Sequence, residues 1–434
     1  MGIGRILRNE LLTLLWQGGR HEDLFRAEIN GHLPGAPADE PARGYFDQWQ
    51  LPPLGFRNYW YPVTLSSELQ RRPFRRRLLG EDIVFWRDGD KVGALADRCP
   101  HRGASLSMGH VRFPGSGTLS CPYHGWTFDG QGQLQACIQE GPDSKMPGKV
   151  QTKAYPVEER LGVVWVWIGD MSPVPIEEDL PVAMKVPGVV NFIHFTKVWK
   201  TNWALLFDNF ADGLHAPYVH RSSPQFLLHK LAYRTLGAEP YLDAIEHDGK
   251  VLEMPRFKSA GPPKDQVEFP ELGTFPRHKW WRIMPSRRNP NASFVPGFRP
   301  NSFLHGLPSY VHTVHEDQYF TQFIIPIDRD HLYNMCAMTG RHTPASRLRW
   351  SLQFQLFRVT HDRMFIGQDH RVLRQAKLGP ERLSAWDQDV IRWRKFAVQN
   401  ARRPAALPSK AATEAWPVPS EAHEAKLFPI SPIV

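Results

Sequence analysis

Short apolar runs separated by turn-forming residues characterise the chain from residue 59 to residue 168. LLGEDIVFW and KVGALAD are joined by RDGD (87–90), and WTF and QLQAC are joined by DGQG (129–132). Runs of this length that are bounded by Gly and Asp are typical of β-hairpins. The final run, VVWVWI (163–168), is apolar at every position, as in a strand buried on both faces. The pattern predicts a small β domain.

The pattern changes after a polar, Pro-rich stretch over residues 170–187. Long β-like segments, such as NFIHFTKVWKTNW and HTVHEDQYFTQFIIPID, then alternate with helical periodicity near 203–216, 344–376 and 383–400. This mixture predicts an α+β domain. We expect three segments in chain order: a helical extension (1–45), the β domain (46–170), and the α+β domain with a C-terminal tail (171–434).

Composition is that of an ordinary globular protein, with 41% hydrophobic and 22% charged residues among 434. No 18 consecutive residues are apolar, so a membrane span is not expected. The formal charge of +9 is spread along the chain without a nucleic-acid-binding motif, so we expect no nucleic-acid partner. The densest basic cluster, RRPFRRR (71–77), is interpreted as a charged strand edge or as a docking surface for an acidic electron-transfer partner.

Four cysteines are too few for a disulfide framework, which favours a reducing cytoplasm. Two of them accompany histidines in the pattern Cys99-x-His101, nineteen residues, Cys121-x2-His124. Zinc modules usually pair Cys with Cys and His with His, whereas each arm here offers one of each. The spacing favours a two-iron centre with both thiolates on one iron and both imidazoles on the other. A structural zinc site and four unrelated core residues are the alternatives.

A second constellation lies in NWALLFDNFADGLHAPYVH. If this stretch is helical, Asp208, Asp212 and His215 fall at i, i+4 and i+7 and share one face. The proline that follows should end the helix, so that His220 can fold back toward His215. Two histidines and a carboxylate form the facial triad of mononuclear non-haem Fe(II) sites. The alternative is a solvated helix with incidental histidines.

Together the two constellations resemble the α subunit of Rieske non-haem iron aromatic-ring-hydroxylating oxygenases. The family pattern of Glu or Asp, x3, Asp, x2, His, x4 or x5, His is met by Asp208, Asp212, His215 and His220. The segments NYWYPV and WVWIGD also look like that family, and the resemblance runs from about residue 58 to residue 369.

The resemblance implies a Rieske domain followed by a helix-grip catalytic domain with an antiparallel sheet and covering helices. It implies one 2Fe-2S cluster, held by Cys99, His101, Cys121 and His124, and one mononuclear Fe(II) per chain. That iron would be held by His215, His220 and a downstream carboxylate. Asp369 is the candidate carboxylate, and Asp362, Asp387 and Asp389 compete with it.

The resemblance also implies roles for the two earlier carboxylates. Asp212 would link the iron to a Rieske histidine of the neighbouring subunit in a homotrimer. Asp208 would be either a group beside the pocket or a structural residue.

The expected function is that of a terminal oxygenase, because O2 needs two electrons and the cluster is a second one-electron store. MGIGRI and DGQGQL are incomplete dinucleotide motifs, so NAD(P)H oxidation is expected in a separate flavin reductase, with or without a ferredoxin. An aromatic or N-heterocyclic substrate would be mono- or dioxygenated or demethylated, and a carboxylated aromatic is the rival. The alternative function is an electron carrier fused to a non-catalytic ligand-binding domain.

Overall fold

The structure is a computed structural model that describes most residues between 40 and 403. Residues before 40 and after 403 lie outside the described part of the chain. Most of the predicted helical extension and of the C-terminal tail therefore also lie outside it. The internal gaps are 213–214, 221–243, 256–265, 270–272, 277–294, 296, 300–301, 315–317, 342–347, 349–350, 353, 356–364 and 385–386.

The N-terminal β domain consists of three antiparallel sheets of three strands each, in the orders β1-β9-β8, β2-β3-β4 and β5-β6-β7. Its strands are β1 (Tyr59–Leu65), β2 (Phe74–Leu78), β3 (Glu81–Asp88), β4 (Lys91–Ala96), β5 (Leu119–Ser120), β6 (Trp126–Phe128), β7 (Leu134–Cys137), β8 (Val157–Arg160) and β9 (Val163–Ile168). Both predicted hairpins are confirmed, and β9 is buried at every position as predicted.

The basic cluster 71–77 ends in the edge strand β2. Arg77 pairs with Asp82 on the neighbouring strand over 2.6 Å, and Pro73 directly precedes β2. The interpretation as a charged strand edge is confirmed. The docking role stays a prediction.

The second domain is built on a large antiparallel sheet in the order β10-β19-β18-β17-β16-β13-β12, with β11 paired to β19. Its strands are β10 (Val189–Phe195), β11 (Trp199–Lys200), β12 (Ile245–His247), β13 (Val251–Pro255), β16 (Ser302–Gly306), β17 (Tyr310–Val314), β18 (Gln318–Pro326) and β19 (His331–Arg341). A separate hairpin consists of β14 (Gln266–Phe269) and β15 (Gly273–Pro276). With the helices below, these strands confirm the predicted α+β class.

The two faces of the large sheet contact different parts of the protein. We call the face that carries Phe323 the back face and the face that carries Gln322 the front face, since neighbouring residues of a strand point to opposite sides. On the back face, the rings of Tyr61 and Trp165 lie 6.0 Å and 5.8 Å from the ring of Phe323. The back face therefore shares one apolar core with the β domain.

Helices cover the front face. The described helices are α1 (Glu40–Trp49), α2 (Trp203–Ala211), α3 (Ala216–Val219), α4 (Ile366–Leu373) and α5 (Gln388–Asn400). The ring of Phe207 on α2 stacks 3.9 Å from Trp393 on α5 and lies 5.7 Å from His305 on the front face. Among these described helices, none is long and apolar enough to cross a membrane.

The prediction of one helix over 203–216 is wrong in its second half. Helix α2 begins after Asn202, whose side chain accepts a hydrogen bond from the Ala204 N–H over 2.8 Å. It ends at Ala211, because Asp212 adopts an extended backbone. Glycine, a poor helix former, follows in the sequence. Asp208, Asp212 and His215 therefore do not share one helical face.

A buried arginine joins three of the helices. Arg394 on α5 donates two hydrogen bonds to Asp208 on α2, at 3.1 Å and 2.7 Å, and its side chain is only 2% exposed. Glu381 accepts from the same guanidinium, and the hydroxyl of Tyr45 on α1 donates to Asp208 over 2.7 Å. The charges of this network are thus paired at close range, which makes removal of either partner costly.

We expect Arg394→Met to lower the free energy of unfolding by about 3 to 5 kcal/mol, because Asp208 would keep a buried charge without its partner. Lys395→Met, on the exposed side of the same helix, should change it by no more than about 0.5 kcal/mol. Urea denaturation followed by circular dichroism measures both. Equal effects of the two substitutions would contradict a stabilising role for the Arg394 network.

Candidate metal centres

The two Cys–His loops have matching backbone geometry. In each loop the cysteine N–H donates to the carbonyl five residues ahead, over 2.8 Å from Cys99 and 2.7 Å from Cys121. The glycine four residues ahead donates back to the cysteine carbonyl, over 2.8 Å in the first loop and 3.2 Å in the second. Gly103 and Gly125 have φ of +76° and +68°, a region that disfavours other residues. The loops are therefore tight turns of the same kind.

The two cysteines lie side by side at the base of the loops. Both are buried, and the Cys99 thiol donates a hydrogen bond to the sulfur of Cys121. This bond, with the backbone N–H groups of Tyr123 and His124, lowers the pKa of Cys121 to about 6. The same bond and burial raise the pKa of Cys99. The site thus favours a negatively charged sulfur, the form that binds metals.

The two histidines of the loops lie farther out. Their ring centroids are 4.6 Å apart, and both side chains are half-buried. His101 stacks on Trp126 at 4.5 Å with an interplanar angle of 4°, and the ring of Tyr123 lies 3.8 Å from His124. The structure therefore brings all four sequence-predicted side chains of this site together, with sulfurs inside and imidazoles outside.

A second group of side chains meets between α2, α3 and α4. His215, His220 and Asp369 each offer one ligand atom, and these atoms lie within 4.8 Å of one another. The Oδ1 atom of Asp369 is 3.6 Å from Nε2 of His215 and 3.3 Å from Nε2 of His220. His220 and Asp369 are each 1% exposed. Two imidazoles and one carboxylate on one side of a site match the facial triad.

Hydrogen bonds on the far side of each ring orient both imidazoles. Nδ1 of His220 lies 3.3 Å from Oε1 of Gln368, and Nδ1 of His215 contacts the backbone carbonyl of Asp212. Because carbonyl oxygens only accept, both Nδ1 atoms carry the proton, and both Nε2 lone pairs point toward Asp369. Burial lowers the pKa of His215, which favours the neutral ring. Metal-bound histidines commonly have this arrangement.

Asp212 acts on His215 through its backbone. The Oδ2 atom of its carboxylate is 4.0 Å from Nδ1 of His215, whereas its carbonyl accepts the hydrogen bond. The predicted helix would instead have placed the Asp212 side chain on the same face as His215. The difference arises because α2 ends before Asp212, which turns the carbonyl of this residue toward the ring.

Asn209 and Gln368 were not identified from the sequence. The Nδ2 atom of Asn209 is 3.4 Å from Nε2 of His215, and the Asn209 side chain also hydrogen bonds to Asp369. A polar amide inside the apolar helix WALLFDNFA was the available signal for Asn209. Gln368 gave no signal, because its contact with His220 spans 148 residues.

The carboxylate of Asp369 provides a test of whether the site fits a metal. Burial raises its pKa to about 8, and its Oδ1 atom has no hydrogen-bond partner in the described part of the chain. A buried carboxylate oxygen without a donor is unfavourable. A divalent cation between Asp369 and the two Nε2 atoms would remove this penalty, so the residues fit the implied iron.

The other candidate carboxylates lie elsewhere. Asp387 accepts hydrogen bonds from Ser384 at the start of α5, and Asp389 lies 3.6 Å from Arg392 on that helix. Asp362 falls outside the described residues. Asp208 is bound by Arg394, as described above. Only Asp369 among the described candidates lies beside the two histidines.

Two family comparisons agree with this geometry. The Rieske [2Fe-2S] domain family matches residues 59–156, and the ring hydroxylating alpha subunit (catalytic domain) family matches residues 188–382. The chain thus contains a Rieske domain followed by the catalytic domain of ring-hydroxylating α subunits. The first match covers both Cys–His loops of the Rieske domain, and a 2Fe-2S cluster is therefore implied. The second covers the triad.

Individual relatives are similar over part of their length. The terminal oxygenase components of carbazole 1,9a-dioxygenase from Sphingomonas sp and Metapseudomonas resinovorans are 40% and 36% identical over 175 and 171 residues. Dicamba O-demethylase from Stenotrophomonas maltophilia is 35% identical over 171 residues. Each match covers 39% of this chain, and it spans 44% of each carbazole relative and 49% of the demethylase. The activity must therefore be argued from the site.

Solved structures share the whole fold. The terminal oxygenase of carbazole 1,9a-dioxygenase from Nocardioides aromaticivorans IC177 superposes with a TM-score of 0.68 at 23% identity. It covers 83% of this chain and 99% of its own length. A fluorene-bound oxygenase and ferredoxin complex of carbazole 1,9a-dioxygenase gives a TM-score of 0.66 at 23% identity, with coverage of 84% and 94%. At this identity the likeness establishes the fold alone.

We expect His220→Ala to lower the iron content from about three atoms per chain, two in the cluster and one at the triad, to about two. The triad would lose a ligand while the Rieske domain stays unchanged. The half-buried His247, which pairs with Glu253 at 2.9 Å on the large sheet, provides the control His247→Ala, and its iron content should not change. Iron analysis of purified protein measures both, and full iron content in His220→Ala would contradict the second site.

Proposed function

We propose that this protein is the terminal oxygenase component of a multicomponent system that uses O2 to oxidise an aromatic or N-heterocyclic small molecule. The observation that carries the proposal is the buried triad, whose ligand atoms lie within 4.8 Å of one another in a chain that also has a Rieske domain. A Rieske domain alone would account for electron transfer, and the triad adds a place where oxygen and substrate meet.

Each centre has a proposed set of ligands. Cys99, His101, Cys121 and His124 hold the 2Fe-2S cluster, and His215, His220 and Asp369 hold one Fe(II). When bound, the cluster would supply one-electron transfer and the ferrous ion would supply a site for O2 activation. Because the loop histidines are half-buried whereas the cysteines are buried, electrons enter and leave on the histidine side.

The residues around the triad keep it in position. Gln368 and the carbonyl of Asp212 hold the two imidazoles in the tautomer that presents Nε2. The ring of Phe365 stacks on His220 at 3.8 Å and shields it from water. Asn209 donates toward the centre of the triad and counters the negative charge of Asp369. These contacts hold three ligand atoms at a buried site, and a facial triad leaves the remaining coordination positions free.

The partners follow from the lack of a complete dinucleotide motif in the sequence. Several structural relatives are complexes of an oxygenase with a ferredoxin, and we propose the same kind of partner here. A flavin-dependent reductase would supply that ferredoxin with electrons from NAD(P)H. A homotrimer and a cytoplasmic location complete the proposal, the latter because all four cysteines are free thiols.

Relatives differ in what they oxidise and in the outcome. Their names include a dioxygenase of carbazole, a monooxygenase of tert-butanol, a dioxygenase of 3-chlorobenzoate and a demethylase of dicamba. The number of oxygen atoms inserted therefore depends on the pocket of each protein. An electron carrier with a non-catalytic second domain is disfavoured, because such a domain has no need of a buried Asp369 beside two imidazoles.

We expect Cys121→Ser to abolish the brown colour and the Rieske-type electron paramagnetic resonance signal of the reduced protein, because a cluster thiolate is lost. The control Cys137→Ser alters a buried thiol outside the motif and should keep both signals. Spectra of the dithionite-reduced proteins give the answer. A full signal in Cys121→Ser would contradict the cluster assignment.

We expect Asp212→Asn to separate the two centres functionally while both metals stay bound. The backbone carbonyl that orients His215 is unchanged, whereas the carboxylate 4.0 Å from Nδ1 loses its charge. In the trimer that the family resemblance implies, this carboxylate would accept a hydrogen bond from a Rieske histidine of the neighbouring subunit, and a charged hydrogen bond contributes about 1.5 to 3 kcal/mol.

Single-turnover oxidation of pre-reduced protein, followed by absorbance, measures the effect of Asp212→Asn. The cluster should still be reduced by the partner but should reoxidise slowly with substrate and O2. Reoxidation and product yield equal to those of the wild type would leave Asp212 as a positioning residue through its backbone only.

A further inference from the structure

Two helices next to the triad pack on the front face of the large sheet: α2, which precedes the two histidines, and α4, which carries Asp369. On α2, Phe207 contacts His305, as described above. On α4, the ring of His370, the residue after Asp369, stacks on Trp199 at 4.7 Å. Trp199 is paired in register with Leu332 of β19. The part of the front face next to Leu332 therefore lies close to Asp369.

Asn334 is the next front-face residue along β19. Residues two apart on a strand point the same way and are separated by roughly 7 Å. Asn334 is 0% exposed, and neither Nδ2 nor Oδ1 of its side chain has a hydrogen-bond partner in the described part of the chain. A buried amide without partners is unfavourable. A ligand that offers a donor and an acceptor would remove that cost.

A second amide lies diagonally across from Asn334. Asn334 pairs in register with Ile324 of β18, and Gln322 is the adjacent front-face position of the same strand. Gln322 is 2% exposed, and in the described part of the chain its Nε2 atom makes a long contact of 4.0 Å with the sulfur of Cys336. Diagonal neighbours in an antiparallel pair lie about 7 to 8 Å apart. One ring system with a polar edge can therefore contact both amides.

The front face is largely apolar in the strands concerned, with a few uncharged polar side chains among them. In β10 and in β16 to β19, the front-face positions hold no Lys, Arg, Asp or Glu. Burial lowers the pKa of His305 to about 3, against the opposing effect of the Phe210 carbonyl, so that imidazole is neutral. A carboxylate ligand would find no counter-charge on these strands, and a hydrocarbon would leave the amide of Asn334 without a hydrogen-bond partner.

We propose that Asn334, together with Gln322, recognises an uncharged hydrogen-bonding group of the substrate, such as a lactam, an amide or a ring N–H. The substrate class is then a neutral polar heteroaromatic, and neither a pure hydrocarbon nor a carboxylated aromatic. The inference rests on the proposed function, because it assigns the specificity of the same site. Asn334 is a specificity-determining residue, since the amide distinguishes molecules of similar shape by their hydrogen bonds.

The test uses three bicyclic probes of similar size: 2-quinolinone, naphthalene and 2-naphthoate. Equilibrium dialysis against the iron-loaded protein, with chromatographic quantification, gives the dissociation constant of each probe. We expect 2-quinolinone to bind at least about tenfold more tightly than the other two probes. This is the ratio of dissociation constants expected when one probe makes a buried hydrogen bond that the others cannot make.

Substitution of the amide should remove this preference. In Asn334→Leu the three constants should agree within about threefold, and Gln322→Leu serves the same purpose if Asn334→Leu does not fold. The control Thr339→Val removes a buried polar group from the back face of the same strand, where Thr339 donates to Asn191, and should keep the preference.

Two results would overturn the inference. One is a wild-type protein that does not prefer 2-quinolinone, including one that binds none of the probes. The other is an Asn334→Leu protein that keeps the preference, which would mean that the amide is satisfied by water. Iron content and O2-dependent reoxidation, measured on the same preparations, test the proposed function separately. Full iron with normal reoxidation but no preference would contradict this inference alone.

Discussion

The burial of the Asp369 carboxylate is the constraint on which the second domain depends. A carboxylate that is 1% exposed and lacks a donor at Oδ1 is unfavourable in an apolar core unless positive charge is placed beside it. Two neutral imidazoles at 3.6 Å and 3.3 Å do not supply that charge, but together with the carboxylate they form a ligand set that suits a cation. A metal ion at this point would thus offset the cost of burying the carboxylate.

Helix packing keeps the three triad residues at this distance. Helix α2 leads into the two histidines, and α4 supplies the carboxylate from a position far along the chain. Arg394 ties α2 to α5 through Asp208, and α1 joins through Tyr45. Asp208, which the family pattern groups with the metal site, thus acts as an anchor for the helix that carries it. Loss of this anchor would move the histidines relative to Asp369.

The two centres differ in their exposure, and this difference suits their proposed roles. The loop histidines of the Rieske domain are half-buried, so a partner protein can approach them closely. In the triad, His220 and Asp369 are each 1% exposed and Phe365 stacks on His220, so water has little access to this centre. The front face of the large sheet, which carries no charged side chain in β10 and β16 to β19, is the surface to which we assign the proposed recognition of the substrate. In this proposal, electron supply and substrate choice belong to separate surfaces.

The sequence alone determined the features that depend on neighbouring residues. Hairpin turns such as 87–90 and the spacing within each Cys–His loop are local, because backbone conformation and residue type decide them within a few positions. The α+β class followed from the same periodicities. The sequence also limited the third triad residue to a few carboxylates, and Asp369 was the candidate.

Only the tertiary structure decided which side chains meet over long distances. Asp369 lies beside His220 although the two residues are far apart in the chain. The adjacent residue Gln368 also contacts His220, at a separation of 148 residues. The end of α2 at Ala211, which replaces the Asp212 carboxylate by its carbonyl, also depends on packing. The sequence does not show that the amide of Asn334 lacks hydrogen-bond partners among the described residues, because this depends on which strands pair with β19 and in which register. Such contacts arise from how helices and strands pack, and they cannot be predicted from the pattern of neighbouring residues.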